Sequence, residues 1–124
     1  SRVRLLQRVL NHFKLIHNNR IAYFWLKKED YERTGAQPDD SEGLIDHLRA
    51  IEPVVVACIF EEIEPGLTRV SLRSKSEHVN VSEVAGQFGG GGHPAAAGAR
   101  IPGRPLTVQR RVLAALKLAL NSKT

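Results

Sequence analysis

Residues 89–98 read Gly-Gly-Gly-Gly-His-Pro-Ala-Ala-Ala-Gly. Four successive residues without a Cβ let a ligand reach backbone N–H groups directly. Pro94 suits the first position of a helix, and Ala95, Ala96 and Ala97 suit its continuation, so the spacing predicts a short helix beginning just after His93. His93 would then stand beside unpaired N–H groups at the positive end of a helix dipole. That combination binds anions, above all phosphate. A Walker loop is excluded, because His93-Pro94 stands where Lys and Ser or Thr are needed. A dinucleotide fingerprint should follow a strand, whereas this run follows a helical pattern. A flexible linker is the plainer alternative, but apolar-patterned segments flank the run closely on both sides.

Three further residues could share the ligand. Arg73-Ser74-Lys75 offers a guanidinium fork, a hydroxyl and an ammonium point charge just ahead of the glycine run. Taken alone, the triplet reads as a solvated strand end. Arg100 and Arg104 are weaker candidates, and Arg110 and Arg111 read as decoration of the last helix. The five histidines, at 12, 17, 47, 78 and 93, show no His-x-His or His-x-x-x-His spacing, so no metal site is expected in this chain. Glu61, Glu62 and Glu64 read as a solvated strand edge, and Asp39-Asp40 as a cap and loop. The carboxylates and histidines that a two-metal hydrolase brings together cannot be assembled from this sequence. Tyr23-Phe24-Trp25 reads as core, which leaves no clear base-stacking platform.

The elements that would position these residues follow from periodicity. Residues 3–13 have helical spacing, with Leu5, Leu6, Val9, Leu10 and Phe13 as the apolar face. Asn18-Asn19 is a turn signal, and Ile21 to Leu26 a buried strand. Lys28 to Thr34 is a short helix ended by Gly35. Asp39, Asp40 and Ser41 compete to cap a helix carrying Leu44, Ile45, Leu48 and Ile51. Val54 to Ile63 opens as a continuous apolar run, the mark of a central strand. With Pro65-Gly66 as turn, it pairs with an alternating strand in which Val70 and Leu72 face one way and Arg69, Ser71 and Arg73 the other. Asn80 and Glu83 have capping-box spacing for a short helix. Ala99 to Ile101 is a short strand, and Pro105 opens a final helix with Val108, Val112, Leu113, Leu116 and Leu120 inside. The class expected is α/β of the mixed α+β kind, with a mixed sheet of four to five strands flanked by helices.

The 124 residues suffice for one domain. Net charge is +5, unevenly spread: residues 1–66 carry nine Lys or Arg against eleven Asp or Glu, and residues 67–124 carry nine against two. The basic half is the half with the glycine run, which favours a polyanionic partner. The longest apolar run is seven residues, against about 20 needed to span a bilayer, so no membrane partner is expected. One cysteine, Cys58, lies in an apolar run and reads as a buried, inert thiol. A reducing, cytoplasmic setting is expected. The chain has no Met and begins within a helical register, so a preceding partner domain is expected, with residues 1–19 as a candidate linker helix.

SLRSK at 71–75 and NVSEVAGQFGGGGHPAAAG at 80–98 resemble the DHH-associated C-terminal domain of DHH phosphoesterases. SEGLIDHLRAIEPVVVACIFEE at 41–62 and RIAYFWLKKED at 20–30 fit the same pattern. Within that family the chain is most similar to the bacterial bifunctional oligoribonuclease and pAp phosphatase subgroup. The family also includes RecJ-like single-strand exonucleases, cyclic-dinucleotide phosphodiesterases and the C-terminal part of alanyl-tRNA synthetase. The resemblance implies a two-lobed enzyme whose N-terminal DHH lobe carries two manganese ions, while residues 1–124 form the substrate-gripping lobe. It implies that Arg73, Ser74, Lys75, Gly90, Gly91, Gly92 and His93 hold a nucleotide backbone or terminal phosphate. Ala96, Ala97 and Gly98 would provide close packing behind the loop. The implied partners are short single-stranded RNA or DNA, pAp and the DHH lobe of the same chain. No catalytic residue, metal ligand or bound cofactor is expected in these 124 residues, which alone should not hydrolyse substrate. A RecJ-like exonuclease lobe, a stand-alone nucleic-acid-binding module and a purely structural lobe remain as alternatives.

Overall fold

The computed structural model describes residues 1–121. In chain order the elements are α1 (Arg2–His12), β1 (Lys14–Ile16), β2 (Ile21–Leu26), α2 (Lys28–Thr34), a 3-10 turn (Pro38–Ser41), α3 (Leu44–Arg49), β3 (Val56–Glu64), β4 (Leu67–Ser74), α4 (Val81–Gly86), β5 (Gly91–His93), β6 (Ala96–Pro102) and α5 (Pro105–Asn121). Six strands form one mixed sheet in the order β1-β2-β3-β4-β6-β5. Only β2 and β3 run parallel; the other neighbours are antiparallel. The class is as the sequence predicts, but the strands number six, not four to five. The two extra strands, β1 and β5, have three residues each, too few to show a period.

Each face of the sheet has its own core. Cys58, Phe60, Val70, Leu72, Ala97 and Ile101 pack against α4 and α5, whose Val84, Val108, Val112 and Leu116 complete that layer. On the opposite face Ala22, Phe24, Ala57 and Ile59 pack against Leu5 and Val9 of α1 and Leu44, Ile45 and Leu48 of α3. The second layer of helices therefore covers the β2–β3 end of its face. The β4-β6-β5 end carries Arg69, Ser71, Gly98, Arg100 and Gly91, which are exposed or half-buried.

Two local expectations are corrected. The helix expected after Ser41 begins at Leu44 with Gly43 as its cap in the left-handed region. Asp40 instead accepts the Gln37 N–H at 2.8 Å and closes the 3-10 turn. Glu61 is not a solvated edge. It lies on the central β3 and accepts from Arg69 at 2.7 Å and from the Tyr31 hydroxyl at 3.1 Å. Cys58 is fully buried, and desolvation raises its thiol pKa well above the ordinary value.

Candidate phosphate-binding face

The helix predicted after His93 does not form. Gly91–His93 and Ala96–Pro102 are the two arms of a tight β-hairpin, with Pro94-Ala95 at its tip. The preference of Pro-Ala-Ala-Ala for helix is overridden by β6, which pairs with β4 along seven register positions from Leu67↔Pro102 to Arg73↔Ala96. His93 therefore gains no helix dipole.

The glycines let the hairpin fold close to its neighbours. A Cβ on Gly90 would come within 2.1 Å of the Gly98 carbonyl oxygen, and one on Gly98 within 2.8 Å of the Val70 carbonyl oxygen. Gly92, at φ +145°, would meet the Ala96 carbonyl oxygen at 2.7 Å. Gly91 differs: a Cβ there meets nothing within 4 Å, so its backbone faces open space. The tip is tied at both ends. Ala95 C=O accepts from Ser74 N–H at 2.9 Å, and Pro94 C=O accepts from Val81 N–H at 2.9 Å. Asn80 caps α4 by accepting from the Ser82 and Glu83 N–H groups, and the Gly90 N–H donates to Ala85 C=O at the far end of that helix.

Register then places the candidate side chains. Directly opposed residues of antiparallel strands share a face. Arg73 opposes Ala96, and Ala96 opposes His93. Ser71 opposes Gly98, and Gly98 opposes Gly91; Arg69 opposes Arg100. The outcome is a floor of small residues, Ser71, Ala96, Gly98 and Gly91, with Arg73 and His93 along one side and Arg69 and Arg100 along another. Arg73 and His93 sit two strand spacings apart, about 10 Å. Part of that floor lines two shallow hollows that share Arg69 and Ser71: one of 420 Å³ reaches Arg73, and one of 430 Å³ reaches Gly98 and Arg100.

Each sequence-predicted residue has a definite place. Arg73 donates to its neighbour's carbonyl, Leu72 C=O, at 2.9 Å and lies 3.8 Å from Asp46. The Lys75 ammonium donates to Ile51 and Glu52 carbonyls at 2.9 and 3.1 Å. Ser74 is buried on the opposite face, with Val70 and Leu72; its hydroxyl donates to Ser76 C=O and accepts the Ser76 N–H. The three consecutive residues therefore do not converge, because a strand alternates its side chains. His93 is exposed, and its Nδ1 accepts the Ala95 N–H at 3.0 Å. The neutral ring then carries its proton on Nε2, which is free to donate outward.

Arg69, Ser71 and Arg100 also belong to this face; the sequence set Arg69 and Ser71 on the side of Arg73 and held Arg100 as a weaker candidate, without joining the three into one site. The signal was present in the period-two alternation of β4; what sequence lacked was the partner strand that sets Arg100 beside Arg69. Arg69 is paired with Glu61 at 2.7 Å, whereas Arg100 makes no ion pair among the described residues. The described residues also bring together no group of three or more His, Cys, Asp or Glu side chains that could hold a metal ion. None of their helices is long and apolar enough to cross a membrane.

The sequence matches the DHHA1 domain over residues 9–122. It is 37% identical over 91 residues to the bifunctional oligoribonuclease and PAP phosphatase NrnA of Thermus thermophilus, covering 73% of this chain and 27% of that protein. It is 36% identical over 84 residues to the probable bifunctional oligoribonuclease and PAP phosphatase NrnA of Streptococcus mutans, covering 68% of this chain and 26% of that one. The chain thus spans about a quarter of the length of these relatives. An exopolyphosphatase-related protein of Bacteroides fragilis superposes with a TM-score of 0.81 at 28% identity, over 94% of this chain and 34% of the other. The chain therefore belongs to the DHHA1 domain family of the DHH phosphoesterases.

Proposed function

We propose that this domain grips the phosphate backbone of very short oligoribonucleotides, and of pAp, for a DHH-type phosphoesterase. Hydrolysis would depend on manganese ions held by a DHH lobe outside these residues. The observation that carries this reading is the alignment of Arg73 and His93 across a floor of residues without bulky side chains. A sugar-phosphate chain can lie on that floor. Arg73 supplies charge and a fork, the His93 Nε2–H a directed donor, and Gly91 an unobstructed backbone. Ser74 and Lys75 support the site instead of touching ligand, Ser74 by closing the turn after β4 and Lys75 by binding the carbonyls after α3. A reducing, cytoplasmic setting belongs to the same reading, supported by the single buried thiol.

In this reading the hydrolytic chemistry is supplied by the DHH lobe and not by this domain. Its own contribution is binding and orientation, which raise effective concentration and align the reacting phosphate. The test is an amide-resolved NMR titration with pAp and with a diribonucleotide. Saturable shifts at residues 69–73, 90–93 and 98–100 are the expected result. Shifts absent at millimolar ligand, or confined elsewhere, would remove the assignment.

A further inference from the structure

The aromatic segment of β2 is only partly core. Phe24 is buried, but Tyr23 and Trp25 on the other face are half-buried. Trp25, the single tryptophan of the chain, stacks on Phe60 with ring centroids 4.8 Å apart and planes 15° from parallel. Its indole N–H donates to Gln109 Oε1 of α5 at 2.6 Å, which fixes the plane of the ring. Strand β1 pairs with β2 only as far as Lys14↔Tyr23. Among the described residues, the outer edge of Phe24, Trp25 and Leu26 therefore has no strand beside it.

A cavity of about 300 Å³ opens at that place, lined among others by Arg8, His12, Lys14, Trp25, Lys27 and Gln109. Its two carboxylates are already engaged. Asp30 is ion-paired with Arg8 and accepts the Lys27 backbone N–H, and Glu29 pairs with Arg33 at 3.6 Å. The side chains of Lys14 and Lys27 make no hydrogen bond or ion pair among the described residues. A rigid indole, an unpaired strand edge and two uncommitted ammonium groups thus meet in one cleft. A second cavity, of about 490 Å³, adjoins it through Trp25, Lys27 and Gln109.

We propose that this cleft is a second nucleotide-binding site, which holds a nucleobase against Trp25 and its phosphate between Lys14 and Lys27. Aromatic side chains take bases by stacking, and the free strand edge supplies N–H and C=O groups for the base edge. Trp25 lies on the sheet face opposite Arg73, and the cleft opens at the β1–β2 edge, the far edge from the β6–β5 hairpin, so it does not rest on the reading of the glycine hairpin.

Because the chain has one tryptophan, its emission reports occupancy directly. The chain is titrated with AMP, triadenylate, adenosine and inorganic phosphate. AMP and triadenylate should quench the emission saturably, adenosine more weakly, and inorganic phosphate not at all. The tighter of the first two tells whether a free nucleotide or a strand end is the occupant. The exposed double variant Lys14→Glu with Lys27→Glu should lose about tenfold or more in affinity, in line with loss of charge-assisted contacts, whereas Arg73→Ala should quench like the parent chain. No quenching by AMP or triadenylate at millimolar concentration overturns the proposal. So does quenching that survives the lysine double variant, or that disappears with Arg73→Ala.

Discussion

At the residue scale the candidate site depends on glycines that do different work. Gly98 is needed for packing: a methyl group there would press on the Val70 carbonyl oxygen at 2.8 Å, and the contact is backbone, which cannot swing away. Gly98→Ala should therefore cost about 1–3 kcal/mol of stability, as overpacking does, read as a lower denaturation midpoint with unchanged m-value. Gly91 has open space where its Cβ would be, so Gly91→Ala should fold with near-parent stability. If ligand lies against that backbone, Gly91→Ala weakens pAp binding; equal binding would put the ligand elsewhere. Arg73→Ala separates charge from structure in the same way. It removes one bond to a neighbouring carbonyl and a long approach to Asp46, so stability should hold while pAp affinity falls by roughly 1.5–3 kcal/mol, the range for a hydrogen bond to a charged group. Unfolding of that variant with unchanged affinity of the folded fraction would sink the assignment. Arg73 and His93 were picked out in sequence by residue type and proximity to the glycines, and the register of β4, β6 and β5 sets them on one face. That Ser74 faces the core is a consequence of strand alternation, which the grouping of three consecutive residues ignored.

At the element scale the sequence was readable wherever period and punctuation agreed. Lys28–Thr34 ends at Gly35 in the left-handed region, and the strand expected over Val54 to Ile63 is the central β3, which begins at Val56. It misled where local preference and tertiary pairing conflicted. Pro94 with three alanines prefers helix, but seven register positions between β4 and β6, plus two carbonyls claimed by Ser74 and Val81, hold the segment extended. No property of residues 93–97 alone announces those partners. Helix α4 is the device that holds the hairpin, since Val81 N–H at one end takes Pro94 C=O and Ala85 C=O near the other takes Gly90 N–H. Asn80→Ala removes the cap and should cost about 1 kcal/mol. The loss should not stay local: the Gly90 amide should exchange faster with solvent than in the parent chain, relative to amides of β3. An unchanged ratio would mean that the hairpin is held by β6 alone.

At the scale of the whole molecule, the two-faced sheet buries a thiol with no charged partner, and this gives the domain an alkaline limit. Cys58 lies on central β3 at 0% exposure, and desolvation raises its pKa well above the ordinary 9.0. The unfolded chain therefore releases the thiol proton near pH 9, while the folded chain keeps it. Between those two values the native state binds more protons than the unfolded state, so stability falls as pH rises. The contribution is intact below pH 9 and is lost at up to about 1.4 kcal/mol per pH unit above it. Tyr31 acts in the same direction but later, because burial raises it from 10.0. The interval from pH 9 to 10 is thus governed more by the cysteine than by the tyrosine. Cys58→Ala should lower stability at neutral pH by leaving a small cavity, yet flatten the decline across that interval. Denaturation midpoints measured at pH 8, 9 and 10 for both chains decide it. Parallel declines would show that the alkaline sensitivity resides in other groups, and that the thiol is as accessible to base in the folded chain as in the unfolded one.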